Sequence, residues 1–201
     1  MLFSSNEGRV VIYSVSDLDK ILTCSENGIL SFWDLRSKPS KPSQTLDSSN
    51  EPKLSRPRLG KWLTFAVTQP LDQSWVLIGG GPRMSLWNRK ISAPTVIYKN
   101  EGNEDSWYPQ YGIFLSEQSN PRILAGGNSS YLYSWDLGGS LLSATCFSDP
   151  PAHRLCHLLH TSPVCFTGFR ENSPVLFTIG AGPSVHITSL LGYRMAVTHL
   201  L

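Results

Sequence analysis

The chain has 201 residues, 40% hydrophobic and 10% aromatic, and a formal net charge of +2. This is ordinary globular composition with enough chain for a real core, and a balance so near neutral supplies no global field for steering nucleic acid. Sixteen Gly and fourteen Pro with little helical periodicity point to an all-β protein rich in turns.

Leu2 to Val15 (LFSSNEGRVVIYSV) carries a turn, Ser5 to Gly8, followed by Val10, Ile12 and Tyr13. Ile21 to Asp34 (ILTCSENGILSFWD) repeats that pattern, with the turn at Ser25 to Gly28 and a strand closing on Trp33-Asp34. Ser37 to Gly60 reads as a long polar loop rich in Ser, Pro and Lys, with one short strand at Gln44 to Leu46. Four strands follow at Trp62–Val67, Trp75–Ile78, Arg83–Trp87 and Thr95–Tyr98, and Glu101 to Ser106 is an acidic loop. A second set of four spans Tyr111–Leu115, Ile123–Ala125, Tyr131–Asp136 and Leu141–Phe147. After a connection over Asp149 to Ser162, a third set is predicted at Val164–Phe169, Val175–Ile179, Ser184–Leu190 and Arg194–Leu200.

Aligned on their turns, four hairpins share one register. Trp33, Trp87 and Trp135 close the second strand of each, and Thr188 stands in the same place in the last. The separations between these positions are 54, 48 and 53 residues. Units of about 40–50 residues in which Trp-Asp closes a strand are the signature of WD-type propeller blades of four strands. Two units have Trp-Asp outright, one has Trp87-Asn88, and one has lost the tryptophan. In a propeller each sheet lies between two others, so inner strands should lack in–out alternation. Leu30, Phe32, Trp33 and Leu35 are apolar on both parities, as are Leu132, Tyr133, Trp135 and Leu137. Trp87 is expected to pack between blades.

The first two turns lie only 20 residues apart, about half a blade. One reading is that sequence is missing between about Ser16 and Lys20, through splicing, a gene-prediction error or engineering of the chain. The alternative is that Val10 to Val15 is the first strand of the following blade. The domain organisation expected is a remnant of an N-terminal blade over residues 1–18 and a partial propeller of about four blades over 19–201.

Ser55-Arg56-Pro57, Gly60-Lys61-Trp62, Trp75, Gly79-Gly80-Gly81-Pro82 and Leu86-Trp87 resemble the THO complex subunit 6 family. Trp33-Asp34-Leu35-Arg36-Ser37, the turn after Ile123-Leu124 and the terminal Leu191-Gly192-Tyr193-Arg194 fall in the same order. The resemblance covers about residues 19 to 201. It implies a seven-bladed propeller in the nuclear THO/TREX assembly, which couples transcription and splicing to messenger RNA export. The implied role is a non-catalytic, assembly-promoting subunit whose partners are other THO/TREX subunits. This chain departs from that pattern in having only about four blades plus the remnant. A propeller removes exposed edges by closing its ring.

Several candidate sites stand beside plainer readings. Trp33-Asp34-Leu35-Arg36 fits the WDxR box of propellers that dock on the adaptor of cullin-four ubiquitin ligases, where Asp34 and Arg36 would present a planar multi-donor contact; otherwise Arg36 ends a strand in solvent. Lys53, Arg56, Arg58 and Lys61 form a basic cluster for messenger RNA phosphate or an acidic partner; otherwise they are a solvated loop. No aromatic stacking stripe accompanies them. His153, Cys156, His157 and His160 invite a zinc reading. However, positions seven apart on a helix lie about 10.5 Å apart against zinc bonds of about 2.0–2.3 Å, so a connecting loop is preferred and no metal is expected.

Gly79 to Pro82 is not a phosphate loop, since a Walker motif needs a following Gly-Lys-Ser/Thr and Arg83-Met84 follows instead. No Ser/His/Asp or Cys/His arrangement supports catalysis, and no cofactor is expected. Cys24, Cys146, Cys156 and Cys165 contain no CxxC pair. With no signal peptide recognised, they favour reduced thiols in a nuclear or cytosolic protein. Asn128-Ser129-Ser130 has the form of a glycosylation sequon and is read as chance. Residues 172 to 193 carry no charge, but Asn172, Pro174, Gly180, Gly182, Pro183 and His186 interrupt them. A span needs about 20 mainly apolar residues, so this is a strand pair and no membrane association is expected.

Overall fold

The computed structural model describes residues 2–4, 9–12, 19–36, 41–100, 106–115, 121–146, 157–160, 175–179, 184–189 and 194–199. All regular elements among them are strands except one 3₁₀ turn, Ser48–Asn50. Among the described residues seventeen strands form four antiparallel sheets. The first sheet is β1 (Leu2–Ser4), β2 (Arg9–Ile12), β3 (Lys20–Ser25), β4 (Ile29–Asp34) and β5 (Gln44–Asp47). The second is β6 (Leu63–Thr68), β7 (Trp75–Gly80), β8 (Ser85–Asn88) and β9 (Ala93–Ile97). The third is β10 (Pro109–Leu115), β11 (Arg122–Gly127), β12 (Tyr131–Asp136) and β13 (Leu141–Cys146). The fourth is β14 (His157–His160), β15 (Val175–Ile179), β16 (Ser184–Ser189) and β17 (Arg194–His199). Each sheet is a meander in chain order, which is how blades of an incomplete WD-like propeller are built.

The pairing registers reproduce the repeat. Trp33 opposes Ile21, Trp87 opposes Val76, Trp135 opposes Ile123, and Thr188 opposes Leu176. In the last three sheets the next pairing shifts register at that same residue: between Leu86 and Trp87, Ser134 and Trp135, and Ile187 and Thr188. A bulge there raises local twist and re-aims the side chain. A second recurring irregularity falls near the start of the first strand, between Leu63 and Phe65 and between Pro109 and Tyr111.

The second, third and fourth sheets touch through their first strands, β6 with β10 and β10 with β14, while the first sheet meets the second chiefly through β3 on β6. The apolar residues sort by parity into seams. Leu22, Cys24, Leu30, Phe32 and Leu46 of the first sheet pack on Leu63, Ala66, Val76, Ile78 and Trp87 of the second. The opposite parity of the second sheet, with Phe65, Leu77, Met84 and Leu86, packs on Phe114, Ile123, Ala125, Tyr133 and Trp135 of the third. Both faces of the second sheet are thus covered, and β7 is buried at every position from Val76 to Gly80. This accounts for the absence of alternation in that sequence.

The first sheet differs. In β3 and β4 burial alternates: Leu22, Cys24, Leu30 and Phe32 are buried, while Ile21, Thr23, Ile29 and Trp33 are only half-buried. Leu35 is exposed. The apolar run through Leu30, Phe32, Trp33 and Leu35 therefore does not mark two covered faces here; among the described residues only the seam to the second sheet covers β4.

The pairing decides between the two readings of the first strand, corrects one strand assignment and refines one loop. Arg9–Ile12 pairs with Lys20–Ser25, so it takes the first-strand place in that sheet, and Leu2–Ser4 adds a fifth strand. The strand facing Val175–Ile179 is His157–His160, inside the stretch read as a connection, whereas Val164–Phe169 lies outside the described residues. Ser37 to Gly60 is not simply a polar loop. Asp47 caps the 3₁₀ turn through the Ser49 N–H, and Leu54 and Arg56 are buried.

Candidate interaction sites

The WDxR segment closes β4. Asp34 accepts from Arg36 twice through the side chain, Nε to Oδ1 at 3.0 Å and Nη2 to Oδ2 at 2.7 Å, and once from the Arg36 backbone N–H at 3.1 Å. These bonds bring the Asp34 carboxyl down to about 2, with Arg36 the dominant cause and Lys20 a smaller one. The Arg36 side chain is 63% exposed, so the pair sits on the surface with its planar fork turned back onto its own strand.

The basic cluster divides. Lys53, Arg58 and Lys61 are exposed, but Arg56 is only 6% exposed. Its guanidinium donates to the carbonyls of Gly81 (2.8 Å), Gly80 (2.9 Å), Pro82 (2.9 Å) and Trp107. A buried guanidinium must place its donors on acceptors, and this one clamps the Gly79–Pro82 turn to the strand entry at Trp107. Arg56 is therefore removed from the candidate contact surface; its role is internal. The turn itself needs glycine: a Cβ on Gly80, at φ +152°, would overlap the Trp62 carbonyl.

The two predicted surfaces lie at opposite ends of the first sheet. Lys61 borders the Gly28 turn, since a Cβ on Gly28 would lie 3.0 Å from the Lys61 carbonyl, and that turn opens β4. Asp34 closes the same six-residue strand, about 17–20 Å away at the rise of an extended chain. One partner residue cannot bridge Arg36 and Lys61.

The tryptophans at the repeat position are seam residues to differing degrees. Trp135 is fully buried and donates to the Lys99 carbonyl of the preceding sheet's exit at 2.7 Å. It contacts the rings of Tyr98, Trp107 and Tyr133 edge-on or tilted. Trp87 is buried in the first seam and donates to Ser85 Oγ at 2.9 Å. Trp33 donates to Thr23 Oγ1 at 3.1 Å on the half-covered face of β4.

The remaining candidates are placed as follows. Asn128 is tied down on both sides, accepting from the Tyr108 N–H and donating to the Ser106 carbonyl, so its amide serves the turn. His153 and Cys156 lie outside the described residues, and His157 and His160 fall on β14. The described residues hold no group of three or more metal-ligating side chains, and no helix long and apolar enough to cross a membrane. Cys24 is buried against the Leu63 carbonyl, and burial pushes its thiol up to about 12.

No protein-family model matches the chain. It is similar to THO complex subunit 6 of Homo sapiens, 29% identical over 87% of this chain and 45% of that protein. It is likewise similar to the THO complex subunit 6 homolog of Mus musculus, 28% identical over the same shares, and to THO complex subunit 6 of Drosophila melanogaster, 25% identical over 78% of this chain and 41% of that protein. The chain spans less than half the length of these relatives. The resemblance read from Trp33–Ser37, Ser55–Trp62 and Gly79–Trp87 is borne out in that the chain is similar to several proteins named THO complex subunit 6.

Proposed function

We propose that this relative of THO complex subunit 6 is a non-catalytic interaction subunit of a THO/TREX-type assembly. In this reading it works in the nucleus, where the assembly couples transcription and splicing to messenger RNA export. The observation that carries the proposal is sequence similarity across 87% of the chain to proteins bearing that subunit's name. Stacked blades support it physically, because they offer broad, rigid surfaces. Contact with messenger RNA, if direct, falls to Lys53, Arg58 and Lys61, since these remain exposed.

The test is affinity purification of the tagged chain from nuclear extract. Recovery of THO subunits, unaffected by Arg36→Ala, is expected; failure to recover any of them would end the proposal. A second reading, substrate receptor of a cullin-four ubiquitin ligase, rests on the exposed Asp34–Arg36 pair. It requires adaptor binding that Arg36→Ala abolishes, and absence of adaptor binding by the unmodified chain would remove it.

A further inference from the structure

Between the first and second sheets, at the end of the seam where β4 and β8 finish, a cleft of about 140 Å³ opens to solvent. Its charged lining residues are Lys20, Asp34 and Arg89. Arg89 lies 3.8 Å over the Phe32 ring, a cation–π placement. Gln44 fixes it from the neighbouring sheet: Gln44 Nε2 donates to the Arg89 carbonyl at 2.8 Å, and Arg89 Nε donates to Gln44 Oε1 at 3.2 Å. Arg89 Nη1 also reaches the Gln73 carbonyl at 3.5 Å. All these partners are neutral, and among the described residues no carboxylate pairs with Arg89. Burial alone lowers its pKa. A half-buried guanidinium held in place by neutral groups is preorganised for an incoming anion.

The surroundings narrow the anion's class. Lys20, whose Nζ donates to Gln73 Oε1 at 3.4 Å and whose charge also acts on Asp34, stands at the rim. Asp34 is already gripped by Arg36, and outside the lining Asp72 accepts from the Ser74 N–H. Ile21 and Trp33 add apolar wall. We propose that this cleft binds a glutamate side chain of an acidic peptide segment, with its methylenes against Ile21 and Trp33 and its carboxylate on Arg89. A nucleic-acid strand fits less well, because it would need a stacking stripe and a basic track.

The inference stands on the cleft's geometry and is independent of THO membership. Its test is calorimetric titration of the purified chain with acetylated, amidated tetraglutamate. Tetraglutamate should bind and tetraglutamine should not. Arg89→Gln should weaken binding about tenfold or more, as expected for a desolvated charge pair, and Lys20→Gln should weaken it less. Lys61→Gln, at the far end of the sheet, should leave affinity within about twofold, and thermal unfolding of each variant checks folding. If Arg89→Gln fails to fold, Arg89→Lys decides the matter. The proposal is overturned if tetraglutamate does not bind, if tetraglutamine binds equally, if folded Arg89 variants bind as before, if Lys61→Gln loses as much, or if decauridylate binds more tightly than tetraglutamate. Failure here with intact recovery of THO subunits would leave the proposed assembly role standing.

Discussion

Replacing Arg56 by leucine would withdraw the donors from the buried carbonyls of Gly80, Gly81, Pro82 and Trp107. The expected cost is about 3–5 kcal/mol, seen as a lowered urea midpoint. Arg58→Leu, two residues on and exposed, should stay within about 0.5 kcal/mol. The two arginines look alike in the sequence, as members of one basic cluster. Nothing in the spacing of Ser55 to Lys61 says which one folds under the glycine turn, because that depends on a contact 24–26 residues away. Asp34 makes a separate prediction. Its carboxyl is held at about 2 by Arg36, below the ordinary value of about 3.9. A depressed folded value means the pair stabilises above the unfolded value and is lost as pH falls through about 2. Carboxyl titration by NMR should place Asp34 near 2, and Arg36→Gln should raise it toward ~3.9.

At the level of strands, the repeat position has graded consequences. Trp135→Ala removes a fully buried ring and its bond to Lys99, an expected loss of about 3–5 kcal/mol. Trp33→Ala, on the half-covered face of β4, should cost about 1–2 kcal/mol. Chemical denaturation of the two variants side by side checks the order; equal losses would mean that Trp33 is packed as tightly as Trp135. The inner hairpins were legible because glycine turns and Trp-Asp closures recur at blade spacing, and Trp75–Gly80 with Ser85–Asn88 lies close to where the pattern puts it. The first strand of the fourth sheet was not legible. His157–His160 is a short run without alternation, and the stretch Val164–Phe169 is the more apolar of the two. Arg9–Ile12 was ambiguous for a related reason: its turn mimics that of an inner strand, and only pairing with Lys20–Ser25 gives it a first-strand place.

Across the molecule, each side-chain parity of a middle sheet serves a different seam, so the second sheet is shared between two cores. Trp87 belongs to one and Leu86 to the other, although they are neighbours in one strand. This sharing should couple the sheets: opening the seam at Trp135 exposes Phe65 and Leu77 as well as Ile123 and Tyr133. The edge strand β13, mostly exposed, should open locally and at lower cost. The candidate contacts follow the same architecture, with Asp34, Arg36 and Arg89 at one end of the first seam and Lys61 at the other. Native-state hydrogen exchange tests this organisation most directly. Amides of β7 and β11 are predicted to exchange in one slow class, and Trp135→Ala should accelerate both together while β13 stays fast. If β7 and β11 exchange at unrelated rates, or if Trp135→Ala accelerates β11 alone, the sheets are independent units and the shared-seam account is wrong.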